Sequence, residues 1–187
     1  EVNKLYSKLS DFDFTDKRIL VVGGSRGIGK GVVENLILLG AEVLYAARNP
    51  FLEEKNAKFI EVDLNYESQI IDMFSEIDKG GGIDAVVNTA AINYCKKFDE
   101  ISTDEWDKVE RINLRAAFIL CKHASIRMKG QKYGKIVNVS SIAGRHRSLV
   151  SGVHYVSTKA GLIGLTKQLA YELGPYNVNV NVVCPSQ

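Results

Sequence analysis

Residues 18–29 have the sequence RILVVGGSRGIG, and this stretch decides the fold class. The aliphatic run at 18–22 ends at a glycine, which is typical of a short buried strand. Beyond the glycines, apolar residues fall at positions 28, 32, 33, 36, 37 and 39, the spacing of one helix face. The stretch therefore predicts a strand, a glycine-rich turn, and a helix from Gly27 to Leu39 that Gly40 ends.

The same alternation of strand and helix patterns continues along the chain. Predicted strands cover residues 42–46, 58–62, 83–88, 135–140 and 178–182, and predicted helices cover residues 66–77, 102–128 and 155–173. This alternation predicts an α/β fold, a Rossmann-type doubly wound parallel sheet with helices on both faces. Residues 1–17 lack clear periodicity, so we expect an N-terminal extension followed by one dinucleotide-binding catalytic domain over residues 18–187.

The composition is that of an ordinary globular domain. Of the 187 residues, 45% are hydrophobic and 25% are charged, which is close to average. A net charge of +2 gives no reason to expect nucleic acid or an anionic membrane as the main partner. No uncharged apolar run approaches the roughly 18 residues of a membrane span. The cysteines and histidines lack the spacing of a disulfide framework or a metal site, so we expect no metal and a cytoplasmic location.

The glycine turn predicts a nucleotide site. Glycine lets the backbone approach a pyrophosphate, and the N-terminus of the following helix supplies N–H groups. An NAD site would place an acidic residue near the end of the second strand, but residues 45–48 there are Tyr-Ala-Ala-Arg. Arg48, together with Arg26 in the turn, favours the 2′-phosphate of NADP, because phosphate prefers charged donors. We therefore expect NADP in preference to NAD.

A second group of residues suits proton transfer. Tyr155 and Lys159 are four residues apart at the start of a predicted helix and so share one face. Tyrosine is a poor base at neutral pH, but a cation about 5 Å away would lower its pKa by about two units. Ser140 and Ser141 end the fifth predicted strand, at the sheet edge where such folds bind ligands, and a hydroxyl there could hold a substrate oxygen.

These segments resemble the short-chain dehydrogenase/reductase family, in particular its 3-oxoacyl-carrier-protein reductases, over about residues 18–185. The matching segments are GGSRGIG at 23–29, Asp63-Leu64, NTAA at 88–91, INL around Asn113, IVNVSS at 136–141, YVSTK at 155–159 and NVVCP at 181–185. The resemblance implies a catalytic set of Asn113, Ser141, Tyr155 and Lys159. With the two arginines, it implies a cofactor site of Gly23, Ser25, Arg26, Gly27, Ile28, Gly29, Arg48, Asp63, Leu64, Asn88, Ala90, Tyr155, Lys159 and Pro185.

The resemblance also implies a role for each catalytic residue. Tyr155 is the general acid in reduction and Ser141 orients the carbonyl. Lys159 lowers the pKa of the tyrosine and binds the nicotinamide ribose, and Asn113 holds a water in the proton relay. The chain departs from the family pattern at Val22, Thr89 and Ala91, which we expect to alter local hydrogen bonds rather than the reaction. The family continues beyond Pro185, so we expect the C-terminal strand and the substrate-covering helices to be missing.

The sequence therefore predicts an NADP-dependent oxidoreductase acting on a small carbonyl or alcohol substrate. Two alternatives stay open, a non-catalytic NADP-binding module and an NAD-dependent alcohol, sugar or steroid dehydrogenase of the same family. The helices at 102–128 and 155–173 carry more apolar residues than one sheet face needs, so a homodimer or homotetramer is expected.

Overall fold

The computed structural model describes residues 12–51 and 56–186. The strands in this part of the chain are Arg18–Val22 (β1), Glu42–Ala47 (β2), Ala57–Glu61 (β3), Ala85–Asn88 (β4), Gly134–Val139 (β5) and Val178–Val183 (β6). The α-helices are Gly27–Leu38 (α1), Glu67–Lys79 (α2), Thr103–Glu110 (α3), Ala116–Gln131 (α4) and Val153–Leu173 (α5). Each predicted strand is thus present with boundaries shifted by a few residues, and so is each predicted helix except the one at 102–128.

The strands form one parallel sheet in the order β3-β2-β1-β4-β5-β6. The register places Val22 beside Ala46 of β2 and beside Asn88 of β4, so the carboxyl ends of the central strands lie level. The strand order reverses at β1, and the crevice at such a point is where doubly wound folds bind ligands. The predicted Rossmann-type fold is confirmed.

Helices cover both faces of the sheet, and alternate side chains of β1 point to opposite cores. Leu20 and Val22 lie in a core shared with α2, α4 and α5. Ile19 and Val21 lie in a second core, shared with α1. A strand buried on both faces needs a continuous apolar run, which is the physical reason for the run at 18–22. Gly40 adopts φ +89°, so the chain turns away after α1 ends at Leu38.

The single helix predicted at 102–128 is wrong in detail, because two helices occupy this region. Ser102 caps α3 by accepting a hydrogen bond from the main-chain N–H of Glu105 at 3.2 Å. One turn of π-helix, Arg111–Arg115, then separates α3 from α4. Apolar periodicity did not reveal this turn, because its residues are as compatible with an α-helix as their neighbours. Such turns often accompany functional residues, and this one carries Asn113.

Part of the expected N-terminal extension is described and joins the fold. The N–H of Phe14 donates to the carbonyl of Leu39 at 2.9 Å, and its ring packs against the α1 core. Residues 1–11 lie outside the described part of the chain. Within the described part, no helix is long and apolar enough to cross a membrane, and no three metal-binding side chains come together.

Candidate active site

A cleft of about 540 Å³ lies at the carboxyl edge of the sheet. The glycine turn, the segments after β2, β3 and β4, and parts of α3 and the π turn form its walls. Predicted cofactor residues in these walls are Gly23, Ser25, Arg26, Gly27, Ile28, Gly29, Arg48, Asp63, Leu64 and Ala90. The other predicted cofactor residues, which are not among those forming the walls, are Asn88, Tyr155, Lys159 and Pro185.

The glycine turn brings main-chain N–H groups into the cleft. Gly23 and Gly27 have φ values of +80° and +53°, the left-handed conformation that favours glycine. Gly29 packs so tightly that an added Cβ would lie 2.2 Å from the carbonyl oxygen of Gly23. Helix α1 starts here, and no side chain in the described part of the chain caps its first turn. Its N-terminal N–H groups can therefore bind an anion.

Thr89 holds the glycine turn from the neighbouring strand. Its hydroxyl lies 2.8 Å from the carbonyl oxygen of Val22 and 3.2 Å from that of Gly23, and its proton is shared between them. Two of the three departures from the family pattern, Val22 and Thr89, are thus complementary. Val22 has no side-chain hydroxyl that could bond the glycine turn, and Thr89, directly after the neighbouring strand β4, supplies one.

Two of the predicted cofactor residues in the cleft wall are arginines, one in the glycine turn and one directly after β2. Arg26 and Arg48 both line the cleft, and the one acidic residue in the described lining is Asp63. Oδ1 of Asp63 accepts hydrogen bonds from the main-chain N–H and the side-chain amide of Asn65, at 3.0 and 2.8 Å. The segment directly after β2 therefore offers the guanidinium of Arg48, where a ribose 2′-hydroxyl would call for a carboxylate.

Tyr155 and Lys159 lie on successive turns of α5. The Nζ of Lys159 is 5.7 Å from the centroid of the Tyr155 ring. Lys159 is only 2% exposed, and its Nζ donates to the carbonyl of Val139 at 2.8 Å. Burial lowers the pKa of this ammonium from 10.5 to about 8. The ammonium is still mainly protonated at neutral pH.

The two serines after β5 have different environments. Ser140 is buried, and its hydroxyl donates to the main-chain carbonyl of Lys159 at 2.8 Å. Ser141 is partly exposed, and its Oγ accepts from the N–H of Ala143 at 3.1 Å. That bond leaves the hydroxyl proton of Ser141 available for another acceptor. Ser140 therefore braces α5, whereas Ser141 can offer a donor.

Asn113 connects the cleft wall to α5. It is 1% exposed, and its side chain accepts from the N–H and donates to the carbonyl of Ile92, both at 2.8 Å. Its amide also donates to the hydroxyl of Thr158 at 3.3 Å. Ile92 lines the cleft. The side chain of Asn113 therefore links the cleft wall directly to Thr158, near the start of α5. These bonds make Asn113 a link, and its role in holding a water stays a prediction.

Asn88 and Pro185 make contacts within the protein. Asn88 is buried, accepts from the N–H of Ala90 at 3.2 Å and donates to Asn138 at 3.4 Å. The carbonyl of Pro185 accepts the N–H of Ile142 at 2.9 Å, which holds the segment after β6 beside Ser141.

Several residues of the cleft wall were not predicted from the sequence. They include Thr89 and, on the side of the π turn, Tyr94, Lys108 and Ile112. The departures from the family pattern at Val22 and Thr89 could have indicated that Thr89 has a role in the cleft. The others required the position of α3, which the single-helix prediction did not give.

The sequence and the structure are similar to those of known proteins. A family model described as short chain dehydrogenase matches residues 17–187. A 3-oxoacyl-[acyl-carrier-protein] reductase of Aquifex aeolicus is 38% identical over 178 residues, covering 89% of this chain and 71% of the relative. A probable galactose dehydrogenase of Rhizobium meliloti is 36% identical over 185 residues, covering 92% of this chain and 72% of the relative.

Solved structures give the same result. A short chain dehydrogenase from Leptospira borgpetersenii with bound NAD+ superposes with a TM-score of 0.89 at 29% identity, covering 94% of this chain and 72% of that chain. A structure of ElxO with NADPH bound superposes with a TM-score of 0.85 at 30% identity, covering 90% of this chain and 73% of that chain.

Proposed function

The chain belongs to the short-chain dehydrogenase family, and from this premise we propose that it is an NADP-dependent oxidoreductase with Tyr155 as general acid/base. The reaction is hydride transfer between nicotinamide and a carbonyl or alcohol substrate. The observation that carries the proposal is the pair on α5, a buried ammonium 5.7 Å from the ring of Tyr155. Asn113 bonds both Ile92 in the cleft wall and the hydroxyl of Thr158, which in turn donates to the main-chain carbonyl of Tyr155 at 2.9 Å.

The residues of the cleft fit a dinucleotide. The N–H groups at the start of α1 suit a pyrophosphate, and the tight packing around Gly23 and Gly29 lets the main chain itself form the surface. Arg26 and Arg48 would hold a 2′-phosphate through charge-assisted hydrogen bonds. When bound, the nicotinamide gives or takes the hydride. The protein's own residues hold the substrate oxygen and move the proton.

Lys159 makes Tyr155 a better acid/base. The Nζ of Lys159 lies 5.7 Å from the centroid of the Tyr155 ring, so its positive charge favours the negative charge that develops on the phenol oxygen during proton transfer. The phenol can then give up and regain its proton during the reaction. In reduction, the Tyr155 hydroxyl donates to the developing alkoxide while the hydroxyl of Ser141 orients the carbonyl. Asn113 holds the π turn against α5 and so helps to keep the pair in place.

Replacement of Tyr155 by phenylalanine tests this proposal. We expect Tyr155→Phe to lower kcat by about 10²- to 10⁴-fold, while the NADPH dissociation constant changes by less than about threefold. Tyr171→Phe is the matched control, because Tyr171 is an exposed tyrosine of the same helix. Unchanged turnover in Tyr155→Phe would rule out the mechanism. NADPH binding by a wild type that turns over no substrate would favour the non-catalytic module.

The names of the relatives suggest the first substrates to assay. A short 3-oxoacyl thioester tests the reductive direction, and galactose with NADP+ tests the oxidative one. An NAD-dependent dehydrogenase is the second candidate, because the Leptospira relative holds NAD+. The presence of Arg26 and Arg48 in the cleft wall supports NADP over this alternative.

The outer faces of the helices support self-association. Phe118 and Ile126 of α4 are more than half exposed, as is Tyr171 of α5, whereas Ala116, Ala117 and Leu162 are used inside the fold. We expect a dimer or tetramer in analytical ultracentrifugation. A monomer at all concentrations would contradict this expectation.

A further inference from the structure

A buried histidine directly precedes the proposed acid/base on α5. His154 is 0% exposed. Its Nδ1 accepts the main-chain N–H of Tyr155 at 2.8 Å. Helix α5 begins at Val153, and its first main-chain bond joins the N–H of Val156 to the carbonyl of Gly152. The N–H of Tyr155 therefore precedes the helical ladder, and the imidazole is its partner.

The other side of the ring is held by helix α3. Nε2 of His154 lies 3.1 Å from Oε1 of Glu105. Lys96, on the segment after β4, forms a hydrogen bond and an ion pair with the other oxygen of Glu105. The bond from Lys96 keeps the pKa of Glu105 below its ordinary value, so the group is a carboxylate. A carboxylate can only accept.

These contacts fix the protonation state of the ring. Because Glu105 only accepts, Nε2 of His154 must carry a proton. Because the N–H of Tyr155 only donates, Nδ1 must be without one. Only the neutral imidazole with its proton on Nε2 makes both bonds.

The surroundings also fix the orientation of the ring. A Cβ added to Gly152 would lie 2.5 Å from Cε1 of His154, so the chain packs directly on the imidazole. The N–H of Gly152 donates to the carbonyl of Tyr94, whose ring centroid is 6.1 Å from that of His154. The imidazole is therefore enclosed by the helix start, Glu105 and Tyr94.

We propose that His154 is a positioning residue that holds the main chain of Tyr155, with Glu105 and Lys96 fixing the imidazole. This inference rests on the proposed function, since it assigns His154 an effect on Tyr155 as acid/base. A small displacement of a reacting group can reduce the rate about 10²-fold. His154 touches neither cleft nor substrate in this role and acts through the backbone.

A matched pair of variants separates the bond that positions the main chain of Tyr155 from the bond that only ties the ring to helix α3. In His154→Asn, the amide oxygen takes the place of Nδ1, so the bond from Tyr155 is kept and the bond to Glu105 is lost. In His154→Gln, the amide nitrogen reaches the place of Nε2, so the bond to Glu105 is kept and the bond from Tyr155 is lost. The two variants therefore divide the two functions of the ring.

We expect His154→Gln to lower kcat by about 10- to 100-fold with KM and the NADPH dissociation constant changed by less than about threefold. His154→Asn should keep kcat within about threefold of wild type. The amide of Tyr155, measured by NMR hydrogen exchange, should lose protection in His154→Gln and keep it in His154→Asn. The reverse order, or equal losses in both variants, would show a purely structural link and overturn the proposal.

Two further readouts guard against misfolding and against failure of the proposed function. If the His154 variants do not fold, Glu105→Leu should expose the Tyr155 amide to exchange, because an imidazole without its acceptor can move its proton to Nδ1, and Glu105→Gln should not. Unchanged protection in Glu105→Leu refutes the proposal that Glu105 fixes the imidazole. The imidazole ¹⁵N shifts of His154 should show the Nε2–H tautomer, and the other tautomer contradicts it. Because exchange and tautomer need no turnover, they decide this inference even where Tyr155→Phe disproves the acid/base role.

Discussion

Replacing Lys159 by methionine is expected to stabilise the protein at neutral pH while abolishing turnover. Methionine has a similar length and no charge, so it can fill the same buried space. The buried ammonium costs folding free energy, because a pKa lowered from 10.5 to about 8 corresponds to about 3 kcal/mol. The variant also leaves the Val139 carbonyl without its donor, which costs about 1–3 kcal/mol. The net expectation is a gain of about 1 kcal/mol at pH 7.

The pH dependence is the sharper part of this prediction. Between about pH 8 and 10.5 the unfolded wild type binds more protons than the folded one, because the lysine pKa is lowered only in the folded state. Wild-type stability at this site therefore rises with pH across that window. The methionine variant lacks this rise. The difference in free energy of unfolding between Lys159→Met and wild type should therefore fall by about 2 kcal/mol between pH 7 and pH 10 and reverse sign.

Urea unfolding of both proteins at several pH values between 7 and 10 measures this effect. Lys167→Met is the matched control, since Lys167 is exposed on the same helix, and its difference from wild type should not change with pH. A constant difference for Lys159→Met across the range would refute the argument that burial lowers the pKa of Lys159. Lys159→Met should thus raise stability at neutral pH and abolish turnover, as expected for a residue that serves function at a cost in stability.

The remaining predictions concern the cleft. Gly29→Ala should abolish NADPH binding in calorimetry, because its Cβ would lie 2.2 Å from a carbonyl oxygen, whereas Gly31→Ala, where a Cβ meets nothing within 4 Å, should bind normally. Thr89→Val should lose about 1 kcal/mol of stability and weaken NADPH binding several-fold, with Thr89→Ser close to wild type; equal behaviour of the two would contradict the role of the hydroxyl. Arg48→Ala should weaken NADPH about 10-fold or more and leave NADH within about twofold, and equal losses for both would remove Arg48 from the phosphate site.

The fold could be predicted because its signals are local. The apolar run of β1 and the glycine turn specify a strand, a turn and a helix, and the same alternation repeats to β6. The π turn at Arg111–Arg115 could not be predicted in this way, because a helix with one extra residue in a turn keeps the same residue preferences.

The residues of the candidate site could be predicted where their chemistry follows from a short, local sequence pattern. The glycine turn, Arg48 and the spacing of Tyr155 and Lys159 are of this kind. The resemblance already pointed to Ser141, and the structure adds that the hydroxyl of Ser140 is engaged with the main-chain carbonyl of Lys159. The link from His154 to Glu105 spans 49 positions, and no sequence pattern connects them.

The proposed cofactor preference is tested most directly by calorimetric titration of the protein with NADPH and then with NADH. The account predicts that NADPH binds at least about tenfold more tightly, because two arginines would gain charge-assisted bonds to its 2′-phosphate. Equal or reversed affinities would contradict the assignment of Arg26 and Arg48, and binding of neither cofactor would contradict the dinucleotide site itself.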